Sequence, residues 1–224
     1  MRMTSPAPSG FPLVRHLSYR LTPLLARTSF TPNQTTGAGL ALGVGGAWCY
    51  AQGSRPWMLT GALLLVLSYV LDNCDGEIAR LKGLESRFGD RLDTFTDWLV
   101  HAVLFLALGI GASRNDPQGP WMWLAWAAVA GSSVNYLLAL AREIVLAPSP
   151  VASPEPAPGR AWTDQALYVF RELTRADFCF LVLTLTLFDV AWWLLPAAAV
   201  GSQAYWMAAI LERARSCRVV RRAA

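Results

Sequence analysis

Asp72-Asn73-Cys74-Asp75-Gly76-Glu77-Ile78-Ala79-Arg80, followed after eight residues by Gly89-Asp90-Arg91-Leu92-Asp93-Thr94-Phe95-Thr96-Asp97, decides how this chain is read. Apolar blocks flank it on both sides, so its carboxylates stand at or near membrane depth. An ionisable group there is expensive and marks a functional site, and several like charges together repel one another unless a cation relieves them. Positions three and four apart share a helix face. Asp72 and Asp75 therefore project together from one segment, and Asp93 and Asp97 from the next. Two antiparallel helices joined by a short polar turn would bring both pairs to one depth. Oxygen ligands of this kind suit hard cations such as Mg2+ or Mn2+, and two ions about 3.5–4 Å apart would clamp a phosphoryl group for in-line displacement.

Outward from this stretch the composition is that of a membrane protein: 54% of the 224 residues are hydrophobic, mean hydropathy is +0.34 and ten are Trp. The apolar blocks predict six spans, at 34–52, 57–80, 91–112, 120–141, 174–188 and 190–211. The fifth has a short apolar run, Phe178 to Phe188, and needs Tyr168 to Asp177 as a helical lead-in. Cytoplasmic loops are enriched in Lys and Arg. With the N-terminus inside, 17 of the 19 basic residues fall on the cytoplasmic side and only Arg55 and Arg114 outside. The expectation is an all-α integral membrane protein of six transmembrane helices with both termini cytoplasmic, in the cell (inner) membrane. The net charge of +4 then reflects topology, and no nucleic-acid partner is expected.

Three segments flank or interrupt the spans. Residues 1–30 read as a cytoplasmic segment without a cleavable signal peptide. Within it Leu13, Val14, Leu17, Leu21, Leu24 and Leu25 recur beside Arg15, His16, Arg20 and Arg27, the pattern of an amphipathic helix on an anionic membrane surface. Five prolines make 147–160 a cytoplasmic linker, and 213–224 is a basic tail. Residues 31–212 form the six-helix domain. Cys49, Cys74, Cys179 and Cys217 lack metal-ligand spacing and read as reduced. Trp57, Trp121, Trp123, Trp192 and Trp193 fit interfacial belts.

The segment from Asp72 to Asp97 resembles the signature of the CDP-alcohol phosphotransferases (CDP-alcohol phosphatidyltransferases), D-x2-D-G-x2-A-R-x8-G-x3-D-x3-D. All eight fixed positions match: Asp72, Asp75, Gly76, Ala79, Arg80, Gly89, Asp93 and Asp97. Thr31-Pro32-Asn33-Gln34 is similar to the Pro-Asn element before the first span of many members. The resemblance implies metal-dependent transfer of a phospho-alcohol or phosphatidyl group from a CDP-linked donor, such as CDP-diacylglycerol or a CDP-polyol, to an acceptor hydroxyl, with release of CMP. It implies a homodimer in contact with membrane lipids and an active site facing the cytoplasm. Asp72, Asp75 and Asp93 are the implied ligands of Mg2+ or Mn2+, two ions in all, and Asp97 is the implied general base, with ligation as a competing role that would lower its basicity.

Gly76, Ala79 and Gly89 would let a nucleotide approach the helix backbone, Arg80 would neutralise a phosphate oxygen, and Asn33 would contact the cytidine or the metal shell. Each has a plain alternative: small residues pack membrane helices, a terminal Arg snorkels, and Asn33 with Gln34 caps a helix at Pro32. Glu77 is expected to pair with a basic residue and His101 to be a buried, hydrogen-bonded histidine. Arg142, Arg171 and Arg175 lie where a pocket for an anionic acceptor would form, though their topology explains them as well. A divalent-cation transporter is the alternative function. It would need carboxylates along several spans, whereas the other spans have almost no internal carboxylates, Asp177 and Asp189 near proposed ends being the exceptions.

Overall fold

Short polar punctuation divides the chain into helices. The computed structural model describes residues 12–145 and 177–223, which form α1 (Leu13–Ala26), α2 (Pro32–Ala51), α3 (Arg55–Lys82), α4 (Arg87–Asn115), α5 (Trp121–Val145), α6 (Phe178–Leu187), a 3-10 turn (Ala191–Trp193) and α7 (Leu194–Ala223). Thr31 caps α2 in a capping box: its hydroxyl accepts the Gln34 N–H while the Gln34 side chain accepts the Thr31 N–H, with Pro32 at the first helical position. Gln34 is thus a cap. Gly83 ends α3 in the left-handed conformation, φ 64°, and the Leu84 N–H reaches back to the Ala79 carbonyl at 2.9 Å. Three residues later Ser86 opens α4 by accepting the Gly89 N–H at 3.0 Å. So short a turn reverses the chain between α3 and α4, while α2 packs against both of them and the Asp72, Asp75 and Asp93 carboxylates converge at the turn end.

Small residues let α2 pack closely against both α3 and α4. Gly39, Gly43 and Gly46 face Ser68, Val100 and Gly61, and the Ser68 hydroxyl donates to the Gly39 carbonyl at 2.7 Å. Backbones approach this closely only without side chains between them. A Cβ on Gly61 would stand 2.6 Å from the Gly46 carbonyl oxygen. Gly61→Val is therefore expected to lower stability by about 1–3 kcal/mol, the range of overpacked cores, read as a lower thermal midpoint by circular dichroism in detergent. An unchanged midpoint would mean that the α2–α3 contact is looser than described. Around the crossing, Leu65, Leu104, Leu108 and Tyr50 are buried, and the Tyr50 hydroxyl joins Thr186 of α6 at 2.6 Å.

Three helices, Arg55–Lys82, Arg87–Asn115 and the Trp121–Ala141 part of α5, are long and apolar enough to cross a membrane among the described residues. The expected first span coincides with α2, whose glycines, threonines and Gln34 dilute its apolar character. The expected fifth span is the ten-residue α6, about 15 Å of helix against a hydrocarbon core of about 30 Å. Its lead-in at 168–176 lies outside the described residues, and Asp177 itself is not helical. The linker 147–160 also lies outside them, as do the side chains of Arg142, Arg171, Arg175 and the basic tail.

The amphipathic segment is helical over Leu13–Ala26, and its inward face mixes two hydroxyls with apolar side chains, Leu21 and Leu25 packing against the core. Val14, Ser18 and Thr22 are buried, while Leu13, Leu17 and Leu24 are exposed beside Arg15, His16 and Arg20. Two buried carboxylates hold the inward face. Asp177 accepts the Leu13 and Val14 N–H groups at 2.7 and 2.9 Å, capping the helix from a distant part of the chain. Glu77 accepts the Ser18 and Thr22 hydroxyls at 2.8 and 2.5 Å. The expected pairing of Glu77 with a basic residue is thus corrected: at 7% exposure the carboxylate is satisfied by two hydroxyls one helical turn apart on α1. The Lys82 ammonium closes the far end, donating to the Thr28 and Phe30 carbonyls at 3.0 and 2.8 Å.

Candidate metal centre

The last three turns of α3 and the first three of α4 carry the site. Asp72, Asp75 and Asp93 each present one carboxylate oxygen such that all three lie within 4.8 Å of one another. Two oxygens on opposite sides of an ion at about 2.1–2.4 Å are about 4.2–4.8 Å apart. An all-oxygen donor set of this span therefore fits a hard divalent cation. Asp75 is the most enclosed member at 6% exposure, and its orientation is fixed from α2: the Thr36 hydroxyl donates to its Oδ2 at 2.5 Å. Beside that bond Asp75 contributes one oxygen to the group formed with Asp72 and Asp93.

Thr36 went unrecognised in the sequence, although it sits one turn after Asn33 in the segment already marked by Thr31-Pro32-Asn33-Gln34. Partners that orient a ligating carboxylate change metal affinity about 10–100-fold. Thr36→Val, which keeps the shape and removes the donor, is expected to weaken Mn2+ binding by that factor in calorimetry. Unchanged affinity would show that Asp75 needs no such support.

Asp97 stands outside this group of three. It is exposed and lines the neighbouring cleft with Asp72, Tyr69, Thr96, Ser68 and Gly39. Tyr69, three residues before Asp72, shares its helix face, whereas Gly39 of α2 is a further residue that only the fold brings to the site. His101, one turn beyond Asp97, is half-buried and fully engaged. Its Nδ1 lies 2.7 Å from the Asp97 main-chain oxygen and its Nε2 lies 2.9 Å from the Tyr69 hydroxyl. A carbonyl only accepts, so Nδ1 carries the proton and Nε2 accepts from Tyr69. The histidine is thus hydrogen-bonded on both sides, as its sequence position suggested.

The small and basic motif residues surround the same end. The Arg80 guanidinium lies across Gly76, where a Cβ would stand 3.5 Å from Nη1. Ala79 gives its carbonyl to the cap of α3. Gly89 occupies the capping turn of α4, where a Cβ would meet the Ser86 hydroxyl at 3.2 Å and the Asn33 side-chain oxygen at 3.8 Å. Asn33 is therefore brought beside the opening turn of α4, close to the motif though 56 residues from Gly89 in sequence. Arg80 is exposed, with the open approach that an anionic ligand needs.

Several known proteins are similar to this chain. A family model described as CDP-alcohol phosphatidyltransferase matches residues 29–211. Inner membrane protein YnjF of Escherichia coli is 32% identical over 137 residues, which cover 58% of this chain and 64% of that protein. A bifunctional IPC transferase and DIPP synthase of Aquifex aeolicus is 33% identical over 113 residues, 50% of this chain and 25% of the relative. A phosphatidylinositol phosphate synthase of Cutibacterium acnes is 31% identical over 126 residues, 54% and 58% of the two chains. The chain thus spans less than two thirds of each of these relatives. Among solved structures, the phosphatidylinositol phosphate synthase of Mycobacterium tuberculosis with CDP-DAG bound superposes with a TM-score of 0.56 at 22% identity, covering 85% of this chain and 91% of that one. This last likeness is one of fold.

Proposed function

The chain belongs to the CDP-alcohol phosphatidyltransferase family, and from that premise we propose that it transfers a phospho-alcohol or phosphatidyl group from a CDP-linked donor to an acceptor hydroxyl, releasing CMP. The observation that carries this reading is the convergence of the Asp72, Asp75 and Asp93 oxygens within 4.8 Å, beside a cleft that holds Asp97. Mg2+ or Mn2+, held by these three carboxylates, would offset the negative charge of the donor pyrophosphate and of the leaving phosphate. The chain's own residues do the rest. Asp97 accepts the proton of the acceptor hydroxyl as its oxygen forms the new bond to phosphorus and the bond to CMP breaks. Arg80 beside Gly76 and the Asn33 amide beside Gly89 hold the CDP portion. Thr36 keeps Asp75 turned toward its fellow carboxylates, and the α1 clamp on Glu77 steadies the helix that carries Asp72 and Asp75.

Two donor classes, CDP-diacylglycerol and a CDP-polyol, fit this chemistry, and the named relatives include enzymes of inositol-containing products. Purified protein incubated with CDP-diacylglycerol or CDP-inositol, each with inositol phosphate, glycerol phosphate or serine, should release CMP with one pair. Absence of CMP with every pair in Mg2+ and Mn2+ would reject the reading. A cation transporter is less well supported. Among the described residues the buried carboxylates Asp75, Glu77 and Asp177 share one end of the bundle, and α1 satisfies two of them, so no acidic path crosses it.

The basic-residue asymmetry supports both termini and the aspartate cluster on the cytoplasmic side, with two copies pairing through membrane helices. A Cys tag at 113–118 should label from outside in intact cells, whereas one at 83–87 should label only after permeabilisation. Labelling of the second without permeabilisation would invert the topology.

A further inference from the structure

At the end of the bundle opposite the aspartates, the α2–α3, α4–α5 and α6–α7 connections surround a cavity of about 350 Å³, a volume in the range of small-molecule pockets. The transfer reaction proposed above makes no use of it. Its floor is tightly built. Gly53, at φ 72°, lies so close to α4 that a Cβ there would stand 2.7 Å from the Gly111 carbonyl oxygen, and the Tyr50 hydroxyl below is bound to Thr186. Two indoles, Trp121 and Trp192, make one wall with ring centroids 5.2 Å apart, edge to face. Met58 and Leu108 add apolar surface.

The polar lining is unbalanced in a way that selects a ligand. Three of its donors are turned to protein acceptors: Arg55 Nη2 to the Leu187 carbonyl at 3.2 Å, Asn115 Nδ2 to the Gly53 carbonyl at 2.8 Å, and Trp121 Nε1 to Asp116 Oδ2 at 3.1 Å. Acceptor capacity remains on the second oxygen of Asp116, on the Asn115 side-chain oxygen and on the Asp189 carboxylate. Two carboxylates against one guanidinium leave the lining net negative, and indole faces attract cations. A hydrated metal ion would gain nothing from the indoles.

We propose that this cavity binds a primary ammonium group on a short stem, the ammonium donating to Asp116 and Asp189 against the indole wall and the stem lying on Met58 and Leu108. An ethanolamine-type headgroup has this chemistry, whether carried on a lipid or free.

The full chain in detergent would be titrated with ethanolamine and with phosphatidylethanolamine, using tryptophan fluorescence and ligand-observed NMR, with phosphatidylglycerol as the control. Saturable binding is expected, weakened about tenfold or more in Asp116→Asn/Asp189→Asn, as the loss of charge-assisted hydrogen bonds requires. The double variant preserves side-chain shape and should release CMP at the wild-type rate with the pair that serves the native protein. Binding of both ligands identifies the amine itself as sufficient, and binding of the lipid alone identifies the membrane as the source. Binding that does not saturate, is unchanged in the double variant, or is matched by phosphatidylglycerol overturns the proposal.

Discussion

Asp75→Ala is expected to bring CMP release below detection. Asp75 is the buried member of the carboxylate group, bonded to Thr36 and contributing one oxygen to the group shared with Asp72 and Asp93. Alanine removes one of only three converging oxygens and leaves a cavity that the Thr36 hydroxyl faces alone. The loss should exceed the roughly 10–100-fold effect of a missing outer partner, because the ligand itself is gone. Mn2+ calorimetry on the variant should show lost binding, and exhaustive chelation of the native protein should have the same effect on CMP release. Full activity in either experiment would remove these aspartates from the chemistry.

Asp97→Asn is expected to act differently. The amide keeps the size and one oxygen but accepts no proton at the moment of attack, so turnover should fall by about 10²–10⁴-fold, the contribution of a general base. Donor affinity, measured by calorimetry with the CDP-linked compound, should change far less than in Asp75→Ala. The geometry supports the contrast, since Asp97 is exposed on the cleft while the three-carboxylate group forms without it. A variant that lost Mn2+ and donor binding as severely as Asp75→Ala would make Asp97 a ligand. Wild-type turnover would move the base elsewhere. His101 would then be the nearest candidate, although both of its nitrogens are committed to Tyr69 and to the Asp97 carbonyl.

Much of the site was legible because it is local. Asp72 and Asp75 share a face by helical spacing alone, as do Asp93 and Asp97, and the breaker Gly83 with the cap Ser86 makes a short antiparallel turn the natural connection. Polar partners drawn from far along the chain were not legible. Glu77 carries no mark that it will meet Ser18 and Thr22, 59 and 55 residues away. Asp177 gives no hint that it caps a helix beginning at Leu13. A carboxylate accepts equally well from a lysine, a hydroxyl or a backbone N–H, so sequence proximity cannot choose among them.

By itself, then, the amino-acid sequence determined the helical class, the family resemblance and the aspartate face, since these follow from periodicity and spacing within segments of fewer than 30 residues. Only the tertiary structure decided that three of the four aspartates form one oxygen group, that Thr36 orients one of them, and that α1 turns Ser18 and Thr22 inward onto Glu77. The physical reason is packing depth. The glycine face of α2 lets that helix lie close against α3 and α4, and that close approach is what puts the Thr36 hydroxyl against Asp75.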